Sequence, residues 1–289
     1  RDSNVYVSEL YEGMPAQQSG LLPGDRFVKV DGMDCNGKNT KEVSEKLRGK
    51  AGTTIEIILE RDSHIIAKQV TRRDIHLPAV GYATVLQDSI GYIFFNEFTT
   101  NSAQELLTAL DGMVQNHGIQ QLIIDLRGNG GGLLESAVKI VGLFVPKNTE
   151  VLRTKGKGLL NEKVYRTTTK PVDEEIPLAV LINGSTASSS EIVSGALQDL
   201  DRAGIVGTRS FGKGLVQNIL PLTYNSQMKV TVSKYYIPSG RCIQALDYAH
   251  RDESGKATKV PDSLKTAFKT RNGRTVYDGF GIEPDVEVK

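Results

Sequence analysis

Two stretches of this 289-residue chain repeat the same order of a short apolar run, a turn and a helical pattern. The first occupies 121–144, with the glycine-rich segment RGNGGG at its centre, and the second occupies 178–200, with a turn at Asn183-Gly184. Apolar runs this short are typical of buried strands. Successive strand–turn–helix units place parallel strands side by side under covering helices. The sequence therefore predicts an α/β fold with a parallel-rich sheet.

The amino-acid composition argues against several classes of protein function for this chain, among them nucleic-acid binding, membrane spanning and metal binding. With 39% hydrophobic and 24% charged residues, the chain has the balance of a folded globular protein. Its formal net charge of +1 gives no electrostatic reason to expect nucleic acid, and no apolar run reaches the roughly 18 residues of a membrane span. The two cysteines, Cys35 and Cys242, are too few for a disulfide framework, and the four histidines lack metal-ligand spacing. We therefore expect neither a metal nor another cofactor.

The turn of the second unit carries the first candidate for chemistry. Ser188 is followed three residues later by Glu191, the spacing in which side chains at a helix entrance bind free backbone N–H groups. An apolar stripe at helical spacing continues from Ile192 to Leu197. On this spacing alone, a helix cap without chemistry is the favoured interpretation.

The second candidate is Lys213, which lies between Gly212 and Gly214. Glycines let the backbone pass close to other groups, and the neighbouring Phe211 and Val216 suggest partly apolar surroundings. Burial disfavours the ammonium form of lysine, and a neutral lysine can take a proton from a serine hydroxyl. The alternative is a solvated loop lysine.

Two other motifs overlap this segment and fail on chemistry. Residues 207–213 have the G-x-x-x-x-G-K spacing of a phosphate-binding loop, but Gly214 stands where a Ser or Thr hydroxyl would hold magnesium. Residues 210–213 spell S-x-x-K, as in penicillin-recognising enzymes, without a K-T-G partner. The sequence therefore predicts neither nucleotide binding nor β-lactam chemistry.

Taken together, the segments STASSSEI and FGKG resemble those of the C-terminal processing (tail-specific) peptidases, which are serine proteases with a Ser–Lys catalytic pair and an attached PDZ domain. The spacing from serine to lysine also matches that family, which implies Ser188 as nucleophile and Lys213 as general base. The same spacing disfavours the other serines of the segment, Ser185, Ser189 and Ser190. Gln217, one helical turn beyond Lys213, matches the glutamine that orients the lysine in the family.

The glycine loop of the first unit extends this resemblance. DLRGNGGG resembles the family segment that supplies a backbone N–H to the oxyanion, which implies Gly131 or Gly132, with the amide of Ser189 as the second donor. A dinucleotide motif is excluded because Leu133 occupies the last glycine position of G-x-G-x-x-G. The alternative is a loop that is glycine-rich for close packing alone.

Residues 1–73 form a predicted small β-rich domain. Its runs GLLPGD and VDG resemble the PDZ domains of the same proteases, and PDZ domains bind peptides by strand addition and capture of a C-terminal carboxylate. The family's carboxylate-binding loop precedes the strand that here begins at Val5, so we expect that loop to be missing. The chain opens on Arg1 without an initiator methionine or signal peptide, and we expect a processed or shortened chain. A regulatory or packing domain is the alternative.

Residues 74–289 form the predicted protease core. The segments YYIPSGR, beginning at Tyr235, and GIEPD, beginning at Gly281, resemble further parts of the family, so the resemblance covers nearly the whole chain. The charged stretch at about 247–274 is expected to be a solvated surface insertion. The resemblance and the repeated units together imply an α/β core of the crotonase- or ClpP-like type with an attached PDZ-like domain.

The family resemblance implies a serine endopeptidase that cuts polypeptides near their C-termini through an acyl-enzyme, with the PDZ domain gating access and without metal or cofactor. It implies polypeptide partners bound through their C-terminal regions, no nucleic acid, and a location outside the cytoplasm, in the periplasm or cell envelope. A homo-oligomer stays open. The alternatives are a non-catalytic PDZ scaffold on an inactive protease core and a crotonase-like acyl enzyme that binds a thioester.

Overall fold

The computed structural model describes residues 4–75, 78–157, 162–224 and 226–288. The chain divides into two compact units, Arg1–Leu77 and Pro78–Lys289. This division lies a few residues after the boundary that the sequence predicts at residue 73.

The first unit contains a four-stranded antiparallel sheet and two short helices. In chain order its elements are α1 (Pro15–Gln18), β1 (Arg26–Val30), β2 (Met33–Asp34), α2 (Thr40–Leu47), β3 (Thr54–Arg61) and β4 (His64–Thr71). The strand order is β2-β1-β3-β4. The β3–β4 hairpin turns through Asp62 and Ser63, both at positive φ, as its tight two-residue turn requires. Alternate side chains, among them Val30, Ile57 and Leu59, form the core of this unit.

The strand expected to begin at Val5 is reduced to a single antiparallel bridge between Tyr6 and Arg26. Its backbone still follows β1, because the Phe27 N–H donates to the Val5 carbonyl at 2.9 Å. Val5 and Val7 are buried in the core of the first unit. The segment therefore contributes to the core, although the predicted strand forms only this one bridge.

The second unit is organised around a six-stranded sheet. The elements of this layer are β5 (Val80–Leu86), β6 (Ile90–Phe95), α3 (Ser102–His117), β7 (Gln121–Asp125), α4 (Leu134–Val141), β10 (Leu178–Ile182), α5 (Ser189–Asp199), β11 (Gly204–Gly207) and β18 (Val286–Glu287). The strand order is β18-β11-β10-β7-β6-β5. Every neighbouring pair is parallel except β5 and β6. The predicted α/β fold with a parallel-rich sheet is confirmed.

A second, antiparallel layer and several small elements complete this unit. They are β8 (Glu150–Gly156), β9 (Glu162–Arg166), β12 (Leu215–Pro221), β13 (Gln227–Tyr236), β14 (Leu246–Arg251), β15 (Ala257–Lys259), a 3₁₀ turn (Asp262–Leu264), β16 (Ala267–Lys269) and β17 (Thr275–Tyr277). The order of the second sheet is β12-β13-β8-β9. The charged stretch expected as an insertion holds two small ladders, β14–β15 and β16–β17.

Helix α5 lies at the centre of the second unit, and all eleven of its residues are buried. Ile192, Val193, Ala196 and Leu197 pack into the same core as the strand residues of the main sheet. A helix enclosed on every side has its ends fixed by the surrounding structure. Within the described ranges, no helix combines the length and the apolar character needed to cross a membrane.

A buried ion pair fixes the C-terminal end of α5. Asp199 Oδ1 lies 2.8 Å from Arg241 Nη2, and both side chains are buried. Asp199 Oδ2 accepts the Ser239 N–H at 2.9 Å, and Arg241 also donates to Gln198 Oε1 at 2.8 Å. The loop at 239–241 is therefore attached to the end of α5 opposite Ser188.

Candidate active site

The turns of the two strand–turn–helix units lie side by side, because β7 and β10 are adjacent parallel strands whose carboxyl ends meet at one edge of the sheet. The Thr186 hydroxyl donates to the Leu126 carbonyl at 2.9 Å. The Ala187 N–H donates to the Asn129 carbonyl at 3.0 Å, and the Ser190 hydroxyl reaches the same carbonyl at 3.0 Å. The fold thus brings the glycine loop against the serine segment.

Ser188 immediately precedes α5 and is partly exposed. Its backbone has φ 59° and ψ −117°, a conformation that residues with a side chain rarely adopt. Such a backbone costs about 1–3 kcal/mol and persists only where the surrounding structure enforces it. Strained backbone of this kind clusters at active sites and ligand clamps. Ser188 is held where a sharp strand-to-helix turn presents its side chain.

The carboxylate of Glu191 provides the restraint. Its Oε2 accepts the Ser188 N–H at 2.8 Å, the contact that the S-x-x-E spacing predicts. The same carboxylate accepts the Lys213 N–H at 2.8 Å, the Gly212 N–H at 2.6 Å and the Ser210 hydroxyl at 2.5 Å. Burial raises the pKa of Glu191 above its ordinary value, and these hydrogen bonds oppose that shift. One buried side chain therefore connects the backbones of the candidate nucleophile and the candidate base.

A second connection comes from Tyr235 on β13, whose side chain is buried. Its hydroxyl donates to the Lys213 carbonyl at 2.6 Å and lies 3.3 Å from the Ser188 carbonyl. Burial, together with the nearby Glu191 charge, raises the pKa of Tyr235 well above its usual range, so the hydroxyl stays protonated as a donor. Sequence reasoning missed this role. The alternating pattern of 227–236 predicts the strand, but it does not show which groups the buried tyrosine of that strand binds.

The Lys213 side chain is partly buried. In the part of the chain that the structure describes, its Nζ has no hydrogen-bond or ion-pair partner, so the amine is not occupied by a structural contact. The sequence suggested partly apolar surroundings for Lys213. Phe211 departs from this expectation, because it is 53% exposed. Val216 packs partly against the core, as expected.

Gln217 does not contact Lys213 as the sequence suggested. The predicted helical turn is wrong, since Gln217 lies on strand β12, which begins at Leu215. Its exposed side chain is 3.5 Å from Thr231 Oγ1, and no hydrogen bond to Lys213 is found among the described residues. The β12–β13 register shifts between Val216 and Gln217. Among the described residues of the two strands, the one left without a partner at this shift is Val232, on β13.

Gly131 sits against the serine segment so closely that only glycine fits. It has φ +99°, and a Cβ at this position would lie 2.7 Å from the Ala187 carbonyl oxygen, 2.8 Å from Ser188 Cβ and 2.8 Å from the Ser189 nitrogen. The glycine loop is therefore glycine-rich for close packing at this residue. The packing brings backbone N–H groups next to Ser188, so the two interpretations of the loop do not exclude each other.

The three backbone N–H groups predicted to bind the oxyanion differ in whether they already have a hydrogen-bond acceptor. The Gly131 N–H donates to Asn129 Oδ1 at 2.8 Å. For the Gly132 and Ser189 N–H groups, no acceptor is found within the described ranges. The Ser189 hydroxyl donates to the Gly132 carbonyl at 2.9 Å, which keeps these two residues together. Gly132 and Ser189 are thus the two predicted donors whose N–H groups have no acceptor among the described residues, and Ser189 itself is buried.

The start of the glycine loop is fixed by a polar cluster that sequence reasoning also missed. Asp125, buried at the end of β7, accepts the Tyr92 hydroxyl at 2.7 Å, the Arg127 N–H at 2.9 Å and the Arg127 guanidinium at 2.6 Å. Burial raises the pKa of Asp125, but these hydrogen bonds outweigh it and leave the value below its usual range.

No group of three or more His, Cys, Asp and Glu side chains in the described ranges is placed to hold a metal ion.

Comparison with known proteins adds to this geometry. The sequence matches the profile of peptidase family S41 over residues 89–249 and that of a PDZ domain over residues 6–61. It is 37% identical to a carboxy-terminal-processing protease of Bartonella bacilliformis, over 84% of this chain and 56% of that protein. It is 35% identical to a carboxyl-terminal-processing protease of Picosynechococcus sp., over 81% and 56% respectively. The chain spans about half the length of the curated relatives it matches.

Among solved structures, a photosystem II D1 C-terminal processing protease resembles this chain with a TM-score of 0.56 and 27% sequence identity. The match covers 99% of this chain and 69% of that one. The predicted combination of an α/β core with a β-rich PDZ domain agrees with both the profile matches and this structural match.

The contact between the glycine loop and the serine turn is testable by substitution. Gly131→Ala should lower the free energy of unfolding by about 1–3 kcal/mol, because its Cβ would overpack the backbone around Ser188 and because a φ of +99° is unfavourable for alanine. Gly130→Ala is the matched control: Gly130 has no atom within 4 Å of the added Cβ, and its effect should stay within about 0.5 kcal/mol. Urea denaturation of both variants measures this. Equal effects would show that the two loops do not approach as described.

Proposed function

This chain belongs to peptidase family S41, and on that premise we propose that it is a serine endopeptidase that cuts polypeptides near their C-termini by a Ser–Lys mechanism. The observation that carries the proposal is the joint attachment of Ser188 and Lys213 to Glu191, beside a glycine loop that packs directly against Ser188. A serine and an amine without a structural partner, next to backbone donors, are the parts that acyl transfer requires.

The proposed chemistry uses one proton relay. Ser188 Oγ attacks the carbonyl carbon of the scissile peptide bond, and the Lys213 amine takes the hydroxyl proton as the new C–O bond forms. The tetrahedral oxyanion accepts hydrogen bonds from the Gly132 and Ser189 N–H groups. Gly131 provides the close approach that places this loop. Lys213 then gives its proton to the leaving amine as the C–N bond breaks, which leaves an acyl-enzyme at Ser188.

Deacylation repeats these steps with water. Lys213 takes a proton from the water molecule that attacks the acyl carbon, and it returns the proton to Ser188 Oγ as the ester bond breaks. Gln217 is proposed as the third member, which orients Lys213 once its side chain leaves Thr231. The match of Gln217 to the glutamine of the family supports this proposal.

The first unit is proposed to bind the C-terminal region of the substrate and to gate access to Ser188. Its PDZ profile match supports peptide binding. An apolar groove within this unit, lined by Val7, Leu10, Val43 and Leu47 among others, also supports peptide binding.

Location in the periplasm or cell envelope is proposed from the family resemblance alone. Cell fractionation with an antibody against this chain tests that location, and recovery in the cytoplasmic fraction would contradict it.

The Ser–Lys mechanism predicts the behaviour of three variants. Ser188→Ala and Lys213→Arg should each lower cleavage of an unstructured polypeptide with an apolar C-terminus by at least about 10³-fold, since one lacks the nucleophile and the other stays protonated. Ser185→Ala, an exposed serine of the same segment, is the control and should cleave at the wild-type rate. Fragments are followed by mass spectrometry.

Two outcomes would overturn the mechanism. Undiminished cleavage by Lys213→Arg would exclude lysine as the base. Binding of the polypeptide by wild type and Ser188→Ala, without cleavage by either, would instead support a non-catalytic PDZ scaffold.

Gating predicts an effect of the first unit on cleavage. Removal of residues 1–73 should change the ratio of cleavage rates for two polypeptides that differ only in their last few residues, because the element that reads those residues is lost. The thermal unfolding of the shortened chain is measured alongside to confirm folding. An unchanged rate and an unchanged ratio would refute gating.

A further inference from the structure

We propose that Glu191 is a positioning residue for the Ser–Lys reaction, setting the distance between the backbones of Ser188 and Lys213 through one shared carboxylate oxygen. The inference rests on the proposed function, since it concerns the same pair. Its basis is that Oε2 of Glu191 accepts both the Ser188 N–H and the Lys213 N–H, each at 2.8 Å. A movement of either backbone relative to the other must break one of these bonds.

Capping of α5 does not account for the other contacts. A cap at the third helical position needs only the local bond to Ser188, three residues before Glu191. The donors Ser210, Gly212 and Lys213 come from 19 to 22 residues later in the chain, from a segment outside α5. Glu191 is therefore placed between two segments, each of which carries one member of the proposed pair.

The chemistry of this site matches a carboxylate and no other side chain. An ionised carboxylate only accepts hydrogen bonds and has about four lone-pair positions. Here four donors use them, two on each oxygen. An amide of the same shape has two N–H groups at one end, and these would face a backbone N–H on either side of the site. Gln at position 191 must lose at least one of the four contacts.

The Oε1 side connects this site to the end of the chain. Ser210 donates its hydroxyl to Oε1 and accepts the Ile282 N–H at 2.6 Å. The Ser210 N–H donates to the Ile282 carbonyl at 3.0 Å. The segment after β11 is thus held from both sides, and Gly212 and Lys213 follow it directly. This arrangement fixes the path of the backbone that leads to Lys213. A change in the position of Glu191 would therefore move the backbones of both Ser188 and Lys213.

Steady-state kinetics of Glu191→Gln test the role on the polypeptide used above. We expect kcat to fall roughly 100-fold with KM within about threefold of wild type, because a misplacement of order 1 Å in the reacting groups costs about that factor. The control is Asp199→Asn, which disturbs a buried carboxylate at the opposite end of α5, away from Ser188 and Lys213. Its kcat per folded molecule should stay within about threefold of wild type.

Two results would overturn the inference. One is a wild-type kcat in Glu191→Gln, and the other is a loss no larger than that of Asp199→Asn at equal thermal stability. If Glu191→Gln does not fold, Ser210→Ala takes its place, since Ser210 holds Oε1 and with it the orientation in which the carboxylate presents Oε2 to the Ser188 and Lys213 N–H groups. We expect its kcat to fall roughly tenfold, and an unchanged kcat would contradict the proposal.

Hydrogen exchange tests the shared oxygen without catalysis, so failure of the proposed function is distinguishable from failure of this inference. Exchange is followed by mass spectrometry on peptides that contain Ser188 or Lys213. Both peptides should be protected in wild type, and both should exchange faster in Glu191→Ala, which removes the shared oxygen, than in Asp199→Asn. Faster exchange in only one peptide would show that Glu191 does not couple the two backbones, whether or not wild type cleaves polypeptides.

Discussion

A buried carboxylate at the start of α5 is the interaction on which the candidate site depends. Ser188 occupies a backbone conformation that is unfavourable on its own, and its N–H bond to Glu191 helps to hold it there. The same side chain holds Gly212 and Lys213, which belong to a loop with little secondary structure of its own. Tyr235 adds a bond from β13 to the Lys213 carbonyl. The proposed nucleophile and the proposed base are thus fixed through their backbones, which leaves their side chains available for the proposed chemistry.

The sheet explains why two distant segments meet at this point. β7 and β10 are adjacent and parallel, so the glycine loop and the serine turn that follow them lie at one edge. The repeated strand–turn–helix order was sufficient to predict a parallel-rich sheet under covering helices, because short buried strands followed by helices have few ways to pack. The sequence also indicated the β-rich first unit. It did not indicate that the segment at Val5 forms only one bridge, because that depends on its partner β1.

The sequence predicts those parts of the candidate site whose residues lie close together in the chain. Ser188 with Glu191 and the run of glycines around Gly131 are visible as spacing in the chain. The contacts of Glu191 with Ser210 and Lys213 were not visible, since a capping box and a link between segments have the same local sequence. Gln217 was placed on a helical turn because its spacing suits one, whereas pairing with β13 makes the segment a strand. Phe211 is more exposed than its apolar character suggested, because side-chain type does not fix burial in a loop.

The central claim is that Lys213 activates Ser188, and covalent labelling tests it most directly. A fluorophosphonate reacts with a serine hydroxyl when a neighbouring base activates it, and the modified residue is located by mass spectrometry of peptides. We predict an adduct at Ser188 in wild type and none in Lys213→Arg. Modification of Ser185, Ser189 or Ser190 in its place, or equal labelling of Ser188 in both proteins, would contradict the account.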